Sequence, residues 1–97
     1  MGEAWPVKVR YTKRAAAQIA AALDYVAAQS PQGADRISDR LQIVLMLLRD
    51  HPHAGRPTTR PGVRRLAIHP YPYLVDYRVT DTEIIVQRFR HAARRPI

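Results

Sequence analysis

Tyr71-Pro72-Tyr73-Leu74-Val75-Asp76-Tyr77-Arg78-Val79, then the turn Thr80-Asp81-Thr82-Glu83, then Ile84-Ile85-Val86-Gln87-Arg88-Phe89-Arg90, is the stretch that decides the fold. Large apolar and aromatic residues alternate with polar ones, and period 2 is the signature of a strand with one buried and one solvent-facing side. Tyr73, Val75 and Tyr77 fall on one face, and Leu74, Asp76 and Arg78 on the other. Arg88 and Arg90 flank Phe89, so both project from the face that Phe89 avoids. Upstream, Val63-Arg64-Arg65-Leu66 begins a further strand, predicted over about 63–69. Strands of about 71–79 and 84–90 complete a three-stranded antiparallel meander.

Working back from the meander, His53 to Gly62 reads as loop, with the Gly55-Arg56-Pro57 turn inside it. His51-Pro52 ends the preceding helix, because the residue before proline is pushed out of the helical region. That helix is predicted from Pro31 to Arg49. Ser30 is its N-cap, and Pro31 sits at the first helical position, where its missing N–H costs nothing. Ile37, Leu41, Val44, Leu45 and Leu48 form its main apolar stripe. Ile43, Met46 and Leu47 widen the stripe well past one face. Such breadth implies contacts with both a helix and a sheet, the preferred reading, or a patch covered by a partner. An alanine-rich helix from Lys13 to Gln29 precedes it, capped by Thr12, with Ile19, Leu23 and Val26 on one side. Val7-Lys8-Val9-Arg10-Tyr11 alternates as a short strand. The predicted fold class is α+β: an N-terminal strand, a two-helix hairpin, and a meander whose one face carries the helices.

Ninety-seven residues make one domain, 1–97, with a core of modest size. No cysteine is present, so a disulfide framework and thiolate metal sites are excluded, and a reducing cytoplasm is the expected location. No apolar run approaches membrane-spanning length, and the first six residues do not resemble a signal peptide. His51-Pro52-His53 lacks supporting ligands for a metal. Neither a metal nor a cofactor is expected. The formal charge is +8, and fourteen of the sixteen cations are arginine. Residues 51–97 hold nine arginines against Asp76, Asp81 and Glu83. Arginine clustered on one sheet suits an anionic partner, whether nucleic acid or acidic protein.

The order of elements, with Gly55-Arg56-Pro57, Val63-Arg64-Arg65-Leu66, the Tyr71 to Val79 strand and the ending His91-Ala92-Ala93-Arg94-Arg95-Pro96, resembles the RelE/ParE superfamily of toxins from bacterial type II toxin–antitoxin pairs. The resemblance runs from Val7 to the end of the chain. The Tyr-Pro-Tyr strand and the terminal His-x-x-Arg pattern look most like the ParE branch. That likeness implies a gyrase inhibitor rather than an enzyme, held by a cognate antitoxin with an acidic C-terminal segment. The RelE branch implies instead a ribosome-dependent mRNA endonuclease. A non-toxic nucleic-acid-binding module is a third class.

Cutting RNA through its own 2′-hydroxyl needs a base, cations on the phosphate and an acid at the leaving oxygen. Where RelE-like sites place an arginine, this chain has Leu74, and its tail lacks their lysine or tyrosine. A nuclease reading would rest on His91, Arg90 and Arg94, whereas His91 reads more simply as a residue bonded to the backbone at the strand end. Target contact is expected at Arg78, Arg88, Arg90, Arg94 and Arg95. Antitoxin contact is expected at Ile43, Met46 and Leu47, reaching Arg64 and Arg65. Asp76 departs from the ParE pattern and is expected to form a surface ion pair of little worth. Tyr71, Tyr73 and Tyr77 are expected in the core rather than stacked on bases.

Overall fold

The computed structural model describes residues 8–93. Strand β1 (Lys8–Tyr11) leads into helix α1 (Lys13–Ala27), then helix α2 (Pro31–Asp50). A two-residue strand β2 (Arg56–Pro57) precedes β3 (Val63–Ala67), β4 (Tyr73–Val79) and β5 (Glu83–His91). Both predicted caps are made: Thr12 Oγ1 accepts from Ala15 N–H, and Ser30 Oγ accepts from Gly33 N–H, each at 3.0 Å. Pro31 stands in the first turn of α2, where no intrahelical N–H is lost.

The five strands form one sheet in the order β1-β5-β4-β3-β2. The meander is antiparallel as expected. Two features go beyond the expectation. β1 lies parallel to β5, with Val9 opposite Ile84 and Tyr11 opposite Val86. The segment read wholly as loop contributes β2, which pairs with β3 through Arg56 opposite Arg65 and Pro57 opposite Arg64. Proline is tolerated there because β2 is the sheet edge.

A bulge in β5 sets which side chains face the helices. Asp76 lies opposite Arg88, but the next residue, Tyr77, lies opposite Val86, leaving Gln87 as the extra residue. Ile84 and Val86 point inward before the bulge, and Phe89 points inward after it. All three are buried, with Tyr73, Val75 and Tyr77 of β4. Ala15 of α1 and Ile37, Leu41, Val44, Leu45 and Leu48 of α2 close over them. Tyr73 stacks on Phe89 with ring centroids 5.0 Å apart. Tyr73 and Tyr77 are core residues as expected, and Tyr71 packs against the core's margin.

The breadth of the α2 stripe has a different cause from the one preferred above. Ile43, Met46 and Leu47 are 47%, 62% and 53% exposed. They lie off the inward stripe, with Met46 at the edge of a groove it shares with Val9 and Tyr11 of β1, and no element of the described chain covers them.

The loop after α2 is tied to the sheet by Arg64 of β3 and by the phenol of Tyr77. Tyr77 Oη accepts from Gly55 N–H and donates to Pro52 C=O, both at 2.8 Å. Glycine is required at 55, because a Cβ there would stand 2.7 Å from that Oη and 2.9 Å from the Arg65 carbonyl oxygen. Burial raises the Tyr77 pKa above the usual phenol value of 10.0, although the Gly55 N–H and nearby Arg64 favour the phenolate. The neutral phenol is therefore the folded form, and its contribution is present below pH 10 and lost as pH rises above it. Tyr77→Phe should lower stability by about 1–3 kcal/mol near neutrality. Chemical denaturation at stepped pH should also show a shallower alkaline loss in the variant than in the parent.

Candidate functional site

The sheet face turned away from the helices is the candidate site. Pairing places Arg65, Asp76 and Arg88 in one row across β3, β4 and β5, and Leu74 beside Arg90 in the next. Arg78 lies on the same face, opposite Val63 and Ile85. Arg10 reaches this side from β1. The arginines expected to share a face do so, but they differ in what each already holds.

Arg10 pairs with Glu83, Nε to Oε2, at 3.2 Å. Arg78 bends over the 58–62 turn, donating from Nη2 to the Pro61 carbonyl at 3.4 Å. Gly62, at φ 78°, makes room for it: a Cβ at that position would stand 2.6 Å from Arg78 Nη1. Arg65 grips Asp76 with both arms of its fork, Nε to Oδ1 at 2.6 Å and Nη2 to Oδ2 at 3.1 Å. Hydrogen bonding to this carboxylate is the main reason the Arg65 pKa rises.

Asp76 is the clearest departure from expectation. It is 2% exposed, not a surface acid. The cause is its register: on the central strand of the meander, it is flanked by Arg65 on one side and Arg88 on the other. The Asp76–Arg65 pair is bidentate and half shielded from water, which makes it stronger than an exposed pair.

Arg88 and Arg90 are left. Their Nε atoms are buried and without a partner among the described residues, as is Gln87 Oε1 in the bulge. Burial pushes the Arg88 guanidinium pKa below its usual value, and Arg14, Arg90 and Arg60 push it further, with Asp76 offsetting part. Beside this face, an open groove of about 750 Å³ is lined by Arg56, Thr58, Arg65, His69 and Leu74, among others.

Arg64 faces the other way. It lies opposite Tyr77, on the helix side, and donates from Nη1 to the Gly55 carbonyl at 2.7 Å and to the His53 carbonyl at 3.3 Å. Arg64 and Arg65 therefore do not make one surface. His91 lies opposite Tyr73, on the helix side of β5, with its ring edge-on to Tyr73 at 5.3 Å. Its Nδ1 accepts from Ala93 N–H at 3.1 Å, the backbone role read for it from sequence. Arg90, opposite Leu74, points to the other face. Arg94 and Arg95 lie outside the described residues. Among the described residues, no group of three or more metal-ligating side chains is present, and no helix is long and apolar enough to cross a membrane.

Sequence reasoning found the arginine face but not the bulge at Gln87, nor the burial of Asp76. Single-residue phase slips leave no mark beyond the oddity that Val86 and Phe89, three apart, must both face inward. Asp76→Asn should keep the shape but strip the charge that Arg65 holds. The expected outcome is a loss of about 1–3 kcal/mol in stability by denaturant titration, with secondary structure unchanged by circular dichroism.

Comparison with known proteins agrees with this geometry. The family described as "ParE toxin of type II toxin-antitoxin system, parDE" matches residues 9–96. Toxin RelE2 of Caulobacter vibrioides is 38% identical over 87 residues, covering 90% of this chain and 97% of that protein. Among solved structures, a chain of the chromosomal ParDE system from P. aeruginosa superposes with a TM-score of 0.76 at 27% identity, covering 88% of this chain and 95% of that one. A chain of the E. coli DinJ–YafQ toxin–antitoxin complex shares the fold at 15% identity, with a TM-score of 0.62, covering 92% of this chain and 96% of that one. A match over nearly all of the chain, carried by the meander and helical hairpin described above, places it by descent as well as by shape: it belongs to the ParE toxin family of type II toxin–antitoxin systems, within the RelE/ParE superfamily.

Proposed function

We propose that this toxin arrests growth by inhibiting DNA gyrase through its C-terminal end, without catalysis, and that a cognate antitoxin neutralises it. The observation that carries the choice is the separation of His91 from Arg90. They stand on opposite faces of the sheet, and His91 Nδ1 is occupied by the backbone. A nuclease needs its acid or base and its phosphate cations converging on one scissile bond. The family match over residues 9–96 supports the same reading. The second reading, a ribosome-dependent mRNA endonuclease, is favoured by the 38% identical relative named RelE2. It predicts cleaved mRNA that disappears in His91→Ala.

The target contact is assigned to Arg88, Arg90, Arg94 and Arg95, with Arg78 at its border. Well-formed charge-assisted contacts are worth about 1.5–3 kcal/mol each, so losing two weakens binding by about a hundredfold or more. Supercoiling by purified gyrase should be inhibited by the parent and spared by Arg94→Ala with Arg95→Ala at unchanged melting temperature. Equal inhibition by both proteins would move the contact away from the tail, and no inhibition by either would remove gyrase as the target.

The antitoxin site is assigned to the exposed patch of Ile43, Met46 and Leu47, with acidic residues of the partner reaching Arg64 beside the loop that leaves α2, and Arg65 beyond it. Three large apolar side chains spaced i, i+3 and i+4 suit an amphipathic segment that orders as it binds. Met46→Asp with Leu47→Asp should reduce antitoxin affinity at least about tenfold by calorimetry, while thermal unfolding of the free toxin stays close to the parent's. Unchanged affinity would place the antitoxin elsewhere.

A further inference from the structure

We infer that Arg14, Arg88 and Arg90 form a site for the phosphodiester backbone of duplex DNA. The inference deepens the gyrase reading and rests on it for the setting in which DNA is met.

The cations of the sheet's outer face fall into three groups: Lys8 and Arg56 stand exposed and hydrated at its two edges, Arg10, Arg65 and Arg78 hold partners, and Arg88 and Arg90 are partly buried without one among the described residues. Arg10 holds Glu83, Arg65 holds Asp76, and Arg78 is committed to the Pro61 turn. Asp76 lies opposite Arg88 and offsets part of its charge, but its hydrogen bonds go to Arg65 and none comes from Arg88. Arg88 and Arg90 have thus given up part of their hydration, with Nε atoms buried, and have no acceptor among the described residues in return. Desolvated cations without an acceptor are costly to keep. Arg14, Arg60 and Arg90 all act on Arg88 as like charges. An anion at the outer ends of these forks relieves both the repulsion and the lost hydration.

The spacing favours a phosphodiester chain over a single carboxylate. Arg88 and Arg90 are two residues apart on one strand, so their Cα atoms stand about 7 Å apart. That is comparable to the spacing of neighbouring phosphates along a nucleic-acid strand, so each fork can meet its own phosphate. The site is also open at its margin. β1 ends with Tyr11 opposite Val86, so among the described residues no strand lies beyond the part of β5 that carries Arg88 and Arg90. Arg14, in the first turn of α1, is exposed beside that gap.

Duplex is favoured over single strand by where the aromatic residues lie. Single-strand binders stack bases on exposed rings. Here Tyr73, Tyr77 and Phe89 are in the core on the other side of the sheet. Among the described residues, Arg88 and Arg90 have no Phe, Tyr or Trp beside them on this face, and the exposed His69 lies across the sheet in the groove by Arg65, which suits sequence-independent contact to the backbone.

The test is fluorescence anisotropy of short labelled duplex DNA with the full-length toxin, titrated at several salt concentrations in the absence of gyrase. Engagement of three phosphates gives a slope of log affinity against log salt of about −2 to −3. Arg88→Ala with Arg90→Ala should bring the slope to about −1 and weaken binding about tenfold or more at low salt. Arg14→Ala, exposed and outside the sheet, should cost about one unit of slope and keeps the test valid if the double variant fails to fold. Arg36→Ala with Arg49→Ala removes equal charge from α2 and should leave the slope within about half a unit of the parent's. Equal losses in the α2 variant and the sheet variant would reduce the site to net charge and overturn the inference. Tighter binding of the matching single strand would overturn the duplex assignment. Supercoiling inhibition, scored separately, reports on the gyrase reading alone.

Discussion

The pairing of β4 with β5 around the bulge at Gln87 is the constraint on which the rest depends. Without the extra residue, strict alternation would send Phe89 outward once Ile84 and Val86 face in. The bulge resets the phase, so three large apolar residues of β5 meet the helices and Arg88 and Arg90 meet solvent. It lies where β1 gives out, and its surroundings are held from α1: Thr12 Oγ1 donates to the Gln87 carbonyl at 3.4 Å, and Gln18 Oε1 accepts from Phe89 N–H at 2.8 Å. Among the described residues, the start of α1 therefore takes the place of a strand beside this end of β5.

The same pairing distributes the charge. Asp76 is the only buried charged residue among those described, and it lies in the row that the bulge brings opposite Arg88. Arg65 is hydrogen-bonded to both carboxylate oxygens, whereas Arg88 interacts with the acid through charge alone. The arginine face is consequently not a uniform field. It holds cations committed to Glu83, Asp76 and the Pro61 turn, exposed cations such as Arg56 and Lys8 at its edges, and a partly buried pair, Arg88 and Arg90, at the far end of β5. Net charge read from composition could not separate these populations, since the distinction lies in which acceptor each cation reaches.

Much of the fold was legible because its signals are local. Thr12 and Ser30 followed by Pro31 announce helix starts through hydrogen bonds spanning three residues. The alternation of Tyr73, Val75 and Tyr77 announces a half-buried strand. What escaped the sequence depends on distant partners. The parallel placement of β1 beside β5 joins residues more than seventy positions apart. β2 exists only because Arg56 and Pro57 find Arg65 and Arg64 across the turn. Asp76 reads as a surface acid until its neighbours in the sheet are known. Ile43, Met46 and Leu47 read as a wider core stripe until their side of α2 is seen to have no cover. The arginine face was legible as a location, while the commitment of each arginine was not.

The apolar patch on α2 and the arginine pair on β5 face different ways. Ile43, Met46 and Leu47 look outward from the helical layer, and Arg88 and Arg90 look outward from the sheet, with the whole core between them. A partner seated only on α2 leaves the sheet arginines open to solvent. Neutralisation through the α2 patch therefore demands either a segment long enough to pass around the edge of the sheet or enough bulk to block the approach of a large target. One such edge lies near the end of α2. There the 52–57 loop, pinned by Tyr77 and Arg64, leads from the helix to β2 and onto the groove beside Arg65. A rigid loop at that corner fixes the path between an apolar anchor and a cationic face. The Gly55–Tyr77 contact then matters for how the two surfaces are joined as well as for stability.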